Sequence, residues 1–333
     1  MPKISLIVAA YNIEDYIERC IESLLKQTFT DIEIVIVNDG STDGTLNKIE
    51  SLIKNDNRVK LINKENEGVV EARRTGFINS TGEYVLFIDG DDWLDTKACQ
   101  KCYEKLLEDS YDILYYGYYI AYDNEKNIKV EIKEEILNEK QFLRELLLVN
   151  VKGCMWTKVI RRSYLIDNNI DFPKGIIYGE DLAMSVDIAC YKPKVVTLNE
   201  QFYYYYQREN SITNSKLTNQ AFHIINALDY IKECMINKNL FEEFIEEYNY
   251  LVYRNLFYSF ITCNNEVNNL HKELYDNWIK RNIKINKNKY IIAHKNKSPS
   301  NEKIRILLYG SNYKFGRLFV KIRNFIKRIR SCK

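Results

Sequence analysis

The chain has 333 residues, enough for one large domain or two modest ones, and 46% of them are apolar, enough to bury a core. Its 48 basic and 46 acidic side chains leave a net charge of +2, which argues neither for nor against a nucleic-acid partner. No stretch approaches the roughly 18 uncharged residues of a membrane span. The first apolar run is too short for a signal peptide, and Asn12, Glu14 and Asp15 follow it, so the expectation is a chain that stays in the cytosol.

In chain order, residues 4–10 form a continuous apolar run, too short for a helix, and read as a strand. Residues 13–26 place Ile13, Tyr16, Ile17, Ile21, Leu24 and Leu25 on a helical stripe. A second strand is expected at 32–37, then the turn Asn38-Asp39-Gly40-Ser41, with Ser41 or Thr42 capping a helix that runs to residue 53. Strand 58–62, helix 69–80 and strand 84–88 follow. Strands apolar on both faces and separated by helices predict a parallel sheet covered on both sides. Ligands of such sheets sit outside the carboxyl ends of the strands, where Asn12, Asp39 and Asp89 all fall.

After residue 96 the rhythm changes. A helix at 96–108 leads to a Tyr-rich extended segment, 113–122, and a charged stretch able to pair with it as a hairpin. Residues 141–149 read as helical, and 195–213 as strand and turn. From about 216 the pattern is mostly helical, with a polar break around 283–302. The domains expected are therefore 1–215 and 216–333. The eight cysteines are scattered; the tight pair Cys99 and Cys102 lacks the second pair or histidines that zinc needs, and reads as two thiols on a helix.

The stretch Tyr84 to Asp95, YVLFIDGDDWLD, ends a buried strand on Asp89, Asp91 and Asp92. Three carboxylates so close repel one another. Asp and Gly are also ordinary turn residues, but a second acidic turn at Asp39 ends another strand of the same sheet. A hard cation with oxygen ligands relieves such repulsion, and magnesium or manganese held by one or two carboxylates keeps positions open for substrate phosphates. No Gly-rich dinucleotide fingerprint and no phosphate loop ending in Gly-Lys-Ser/Thr is present. An aspartyl-phosphate phosphatase, with Asp89 as nucleophile and Asp91 as acid, is a rival; its motif normally lies on the first strand, and here the acids end the fourth.

Three blocks, SLIVAAYNIEDYIERCIESLLKQTFTDIEIVIVNDGSTDGT, NEGVVEARRTGF and TGEYVLFIDGDDWL, resemble the family 2 glycosyltransferases over residues 3–95. MWTKVIRRS, YGEDLAMS and YYYQRENSIT extend the likeness to about 215. The resemblance implies an α/β chain of GT-A fold, with a mostly parallel central sheet flanked by helices and a mainly helical C-terminal region. It implies a nucleotide-sugar donor, most often a UDP-sugar, a divalent metal (Mn2+ or Mg2+), and transfer with inversion. On that likeness Ala9, Tyr11 and Asn12 belong to the base-binding edge, Asp39 bonds the uracil, and Arg73 lies near the base or diphosphate. Asp89 approaches the ribose, Gly90 belongs to the same donor-binding turn, and Asp91 ligates the metal with Asp92 beside it. Asp181 is the base, with Glu180 next to it. Many relatives have Pro where Ala9 stands and Asn where Arg74 stands, so Arg74 is left without a role.

Other readings stay open beside these. An acid at a helix start, as at Glu180-Asp181, is also an ordinary cap. Arg208 could steady a leaving diphosphate or pair with Glu209. Trp156, with Lys158 nearby, could be core or a sugar-stacking platform. The whole chain could be a non-catalytic nucleotide-sugar-binding partner in a glycan assembly complex.

Residues 303–333 hold ten Lys or Arg and no acid. Leu318, Phe319, Ile322, Phe325, Ile326 and Ile329 share one helical face, with Lys321, Arg323, Lys327, Arg328 and Arg330 largely around it. That is the pattern of an interfacial helix drawn to anionic lipid; a helix packed on its own domain with a solvated basic rim is the alternative. A lipid-linked glycan acceptor fits a protein peripheral on the inner face of the cell membrane, with 314–333 as the contact. No nucleic-acid module accompanies the patch.

Overall fold

The computed structural model describes residues 1–54, 56–123, 126–208, 222–263 and 269–331, with side chains to 326. It divides into two compact units, residues 1–146 with 151–214, and residues 147–150 with 215–333.

The first unit begins with β1 (Ile4–Ala10), α1 (Ile17–Leu25), β2 (Ile32–Asp39), α2 (Thr45–Ile53), β3 (Val59–Lys64), α3 (Val69–Ile78) and β4 (Tyr84–Asp89). The four strands pair in parallel in the order β3-β2-β1-β4. Successive side chains of a strand point to opposite faces, and both faces of β1 are buried. Leu6 and Val8 join a core with Ile17 and Ile21 of α1 and Ile49 of α2. On the other face, a Cβ at Gly76 of α3 would lie 2.3 Å from Cγ2 of Ile7. β3, at the edge, holds half-buried and exposed residues and no fully buried one.

Two helices start later than the sequence suggests, for one reason: the residues before them lace the loops after β1 and β2 together. Asn12 takes a left-handed φ of 49°, accepts the Thr42 N–H at 2.8 Å and donates its own N–H to Ser41 Oγ at 3.1 Å. Ser41 and Thr42 are thereby used across the loops, and Asp43 accepts the Thr45 N–H at 3.0 Å. The Ile13 N–H goes to Thr45 Oγ1 at 2.9 Å, so 13–16 forms a turn ahead of α1.

The chain continues through β5 (Trp93–Leu94), α4 (Ala98–Leu106), β6 (Ile113–Ala121), β7 (Ile128–Val130), β8 (Ile136–Leu137), α5 (Gln141–Leu147), a 3₁₀ turn (Met155–Thr157), β9 (Lys158–Arg161), α6 (Arg162–Asp167), α7 (Glu180–Cys190) and β10 (Val195–Tyr206). The sheet extends from β4 through β9, β6 and β10 to β5. β9 runs antiparallel to both its neighbours, while β10 is parallel to β6. The sheet is therefore mixed, with its parallel half carrying the N-terminal crevice. β7 pairs antiparallel with β6, the hairpin expected of the charged stretch. Cys99 and Cys102 sit buried on α4 with free thiols, that of Cys99 pushed up to about 12 by burial. The expected strand-and-turn over 195–213 is β10 as far as Tyr206; residues 209–213 lie outside the described residues.

The second unit holds α8 (His223–Asn237), α9 (Ile245–Val252), a π-helical segment (Tyr253–Thr262), α10 (Asn269–Lys280), α11 (Lys289–Lys297), α12 (Ser300–Ser311) and α13 (Tyr313–Ser331). The polar stretch expected to break the pattern at 283–302 contains α11, because Asn288 caps it by accepting the Tyr290 and Ile291 N–H groups. The interior is aromatic: Phe257 and Trp278 meet at 4.6 Å between ring centroids, and Tyr253 and Tyr309 are fully buried. Gly316 lets α13 lie close on α12, since a Cβ there would stand 2.3 Å from the Tyr309 ring. Gly316→Val should cost about 1–3 kcal/mol by overpacking, read as a lower urea midpoint; an unchanged midpoint would show that this contact does not hold α13.

Candidate functional site

The strand order reverses its winding between β1 and β4, and a crevice is expected outside the carboxyl ends at such a point. Ala9 pairs with Val37 and Asp89 there, and its carbonyl accepts the Gly90 N–H at 3.2 Å. Gly90 is required by close approach: a Cβ would meet Ile13 Cδ1 at 2.4 Å and the Ala9 oxygen at 3.0 Å. Tyr11 is 48% exposed at this edge, a ring open to stacking.

Asp39 ends β2 and is buried. Its Oδ1 accepts from Lys64 Nζ at 3.0 Å and the Glu67 N–H at 3.1 Å, and its Oδ2 from the Gly68 N–H at 2.7 Å. The carboxylate thereby fixes the entry to α3, whose first free N–H groups favour a negative charge nearby.

The three clustered acids diverge. Asp89 accepts from Arg73 Nη2 at 2.7 Å. Asp91 pairs with Arg208, Oδ2 to Nε at 3.1 Å. Asp92 turns inward and is buried: its Oδ2 accepts from the Tyr203 hydroxyl at 2.6 Å and its Oδ1 from the Tyr206 N–H at 2.8 Å. Both of its oxygens are spent on β10, so the side chain that follows Asp91 in sequence faces the core rather than the crevice. Burial first, then the charges of Asp91 and Asp89, push its pKa well up. The Asp91 pKa also rises, from burial and Asp89, against the pull of Arg208.

Arg73 is the hub. It is buried, with Nη1 2.5 Å from Asp181 and 3.7 Å from Glu180. Burial alone would lower its pKa; Asp181, Asp89 and Glu180 outweigh burial and raise it. The next residue faces elsewhere, Arg74 pairing with Asp171 at 3.2 Å. Glu180 and Asp181 open α7 after Gly179, which has a φ of 81°. Asp181 spends its oxygens on Arg73 and on the Met155 N–H at 3.2 Å, so its bonds are not those of a helix cap. Its pKa is raised by burial, with Arg73 opposing. Glu180 is pushed up to about 7 by burial and by Asp181.

Trp156 is core: it is buried, stacked on Tyr203 at 4.5 Å and on Tyr205 at 5.2 Å. Lys158 is also fully buried, and its ammonium donates to the Lys152 and Cys154 carbonyls and to Thr157 Oγ1. Burial lowers its pKa to about 8. These two residues brace the loop that carries the Met155 N–H to Asp181, and burial of Trp156 favours its core reading.

Arg19 of α1 was not anticipated. Its guanidinium lies 3.7 Å from the Trp93 ring centroid and 4.4 Å from that of Tyr206, and it donates to the Asp91 carbonyl at 3.3 Å. Tyr203 was not anticipated singly either: it accepts the Asp89 N–H while donating to Asp92. A helix residue 72 positions from its acceptor leaves no local sequence signal, whereas Tyr203 lies in the stretch read as strand.

A cation suits this turn. Asp91 is only partly exposed, has Asp89 as a like-charged neighbour and already holds a guanidinium. Among the described residues no three carboxylate, imidazole or thiolate groups cluster into a cage, so a metal on Asp91 would take further ligands from diphosphate oxygens and water.

Residues 5–168 match glycosyl transferase family 2. EpsH of Bacillus subtilis is 36% identical over 175 residues, which are 52% of this chain and 51% of that protein. EpsJ of the same organism, an uncharacterized glycosyltransferase, is 31% identical over 221 residues, 64% of this chain and 63% of EpsJ. The matches thus span about half to two thirds of these relatives. In fold, the chain superposes on S. aureus TarS 1-349 in complex with UDP-GlcNAc with a TM-score of 0.73 at 20% identity, covering 97% of this chain and 91% of that one.

Proposed function

Through residues 5–168 the chain belongs to glycosyl transferase family 2, and on that premise we propose that it moves a sugar, with inversion, from a UDP-sugar to a glycan or lipid-linked glycan in surface polysaccharide synthesis. The observation that carries the reading is the convergence on Arg73 of Asp89, from the acidic turn, and Asp181, from the start of α7. It sets a donor-side carboxylate and a candidate base on either side of one buried cation. The TarS structure with UDP-GlcNAc supports a uridine donor.

In this reading Tyr11 stacks on the base and Asn12 holds its loop, while Asp39 bonds the uracil. Asp89 meets the ribose. Asp91 would hold a divalent cation, Mn2+ or Mg2+, and when bound such a cation would offset negative charge on the departing diphosphate. Arg208, beside Asp91, offers a guanidinium suited to phosphate oxygens. The acceptor hydroxyl loses its proton to Asp181 as its oxygen attacks the anomeric carbon, and the nucleoside diphosphate leaves from the opposite face with the bonding electron pair. Burial, which raises the proton affinity of Asp181, makes it a better base than a solvated aspartate. The catalytic domain is 1–215 and the helical region 216–333, and the expected setting is cytoplasmic, at the membrane.

The test is nucleoside diphosphate release from a panel of nucleotide-sugars with Mn2+ or Mg2+, with chelator, and with Asp91→Ala. Release is expected from one UDP-sugar and is lost both with chelator and in the variant. UDP that fails to bind would remove the roles of Asp39 and Asp91. UDP binding with no release, even with lipid-linked acceptors present, would favour a non-catalytic binding partner.

A further inference from the structure

α13 is packed with the wrong side out for a helix of a water-facing domain. Among its described residues Gly316, Arg317 and Val320 are buried. Its apolar stripe is exposed: Phe315 56%, Leu318 55%, Ile322 51%, Phe325 65% and Ile326 44%. These positions recur at three- and four-residue intervals and so share one face. Lys314 and Lys321, both exposed, border that face on one side, and Arg323 borders it on the other. The orientation is enforced by Gly316, whose missing side chain admits the Tyr309 ring. α12 also leaves Ile304 and Leu307 exposed. The side chains of Lys327, Arg328, Ile329 and Arg330 lie outside the described residues.

We propose that this outer face of α13 docks on an anionic lipid surface, lying in the interface with its apolar stripe among the acyl chains and its flanking cations at the headgroups. Charge chooses the occupant. Ten cations and no acid in 303–333 would set like charge against like charge in a pairing of two copies. Nucleic acid would satisfy the cations and leave five large apolar side chains in water. Anionic lipid satisfies both at once. Among the described residues no helix is long and apolar enough to cross a membrane. From Phe315 to Ile326 the exposed stripe runs about 17 Å along the helix. The inference stands apart from the catalytic reading, because vesicle binding requires neither donor nor turnover.

The test is co-sedimentation of the full chain with vesicles of phosphatidylcholine, with and without phosphatidylglycerol, over a salt series. Binding is expected only to the anionic vesicles, weakening with salt. Leu318→Glu and Phe325→Glu should each lower the partition coefficient by roughly tenfold or more, and Lys314→Glu or Lys321→Glu by about fivefold. The melting temperature should not move, because these side chains are exposed. Ile78→Glu, an exposed apolar site on α3, should leave binding unchanged. Absence of binding, or binding indifferent to Leu318 and Phe325, would overturn the proposal. A dimer in solution that Leu318→Glu dissociates, with no vesicle binding, would make a second copy the occupant and overturn it equally.

Discussion

Arg73→Met is expected to lower stability by about 3–5 kcal/mol, the cost of leaving buried charges without their partner, and to abolish turnover. Methionine fills much of the same volume, so the loss is electrostatic more than steric. Asp89, Asp181 and Glu180 would be left facing one another with no cation between them. The defect should depend on pH with a definite sign. Without Arg73, proton affinities of Asp181 and Glu180 rise further in the folded state and stay ordinary in the unfolded one. The folded variant then binds more protons than the unfolded chain, so its stability grows as pH falls. The gap to wild type should be widest above neutral pH and narrow towards about pH 5. Urea denaturation at several pH values reads this directly; equal midpoints for variant and wild type would show that Arg73 is not the electrostatic hub.

Asp181→Asn is expected to cut turnover by about 10²–10⁴, the usual contribution of a positioned base, while leaving UDP affinity nearly intact. Glu180 provides the comparison. It sits 3.7 Å from Arg73, and burial and the charge of Asp181 raise its pKa. If Asp181 is the base, Glu180→Gln should keep turnover within about tenfold and only reshape the pH profile near neutrality. The reverse pattern, with a large loss in Glu180→Gln and wild-type turnover in Asp181→Asn, would transfer the role to Glu180.

Much of the first unit was legible because its signals are local. An apolar run such as Ile4–Ala10 followed by Asn12, or Tyr84–Asp89 followed by Asp91, declares a buried strand and its polar end within a dozen residues. Glu180 and Asp181 were legible by resemblance, and the structure brings both to Arg73. What stayed hidden depends on distant partners. Asp91 and Asp92 look alike in sequence, yet one meets Arg208 and the other is consumed by Tyr203 and Tyr206. The antiparallel β9, between β4 and β6, could not be foreseen because a four-residue strand carries no directional signal. In the second unit Asn288 looked like loop composition, and only its two N–H partners reveal a cap.

The attachment of the acidic turn to β10 also sets a schedule. Among the described residues the Asp92 carboxylate bonds to Tyr203 and Tyr206, 111 and 114 residues downstream, and β5 pairs with β10, Leu94 opposite Tyr203 and Trp93 opposite Tyr204. A ribosome adding about 5–20 residues per second delivers β1 to β4 several seconds before β10. During that interval the nascent chain has its parallel strands and the Arg73 partner of Asp89, but lacks the groups that hold Asp91 and Asp92. The turn is therefore a late product of translation, and a chain cut short before residue 203 carries the motif in its sequence without its shape.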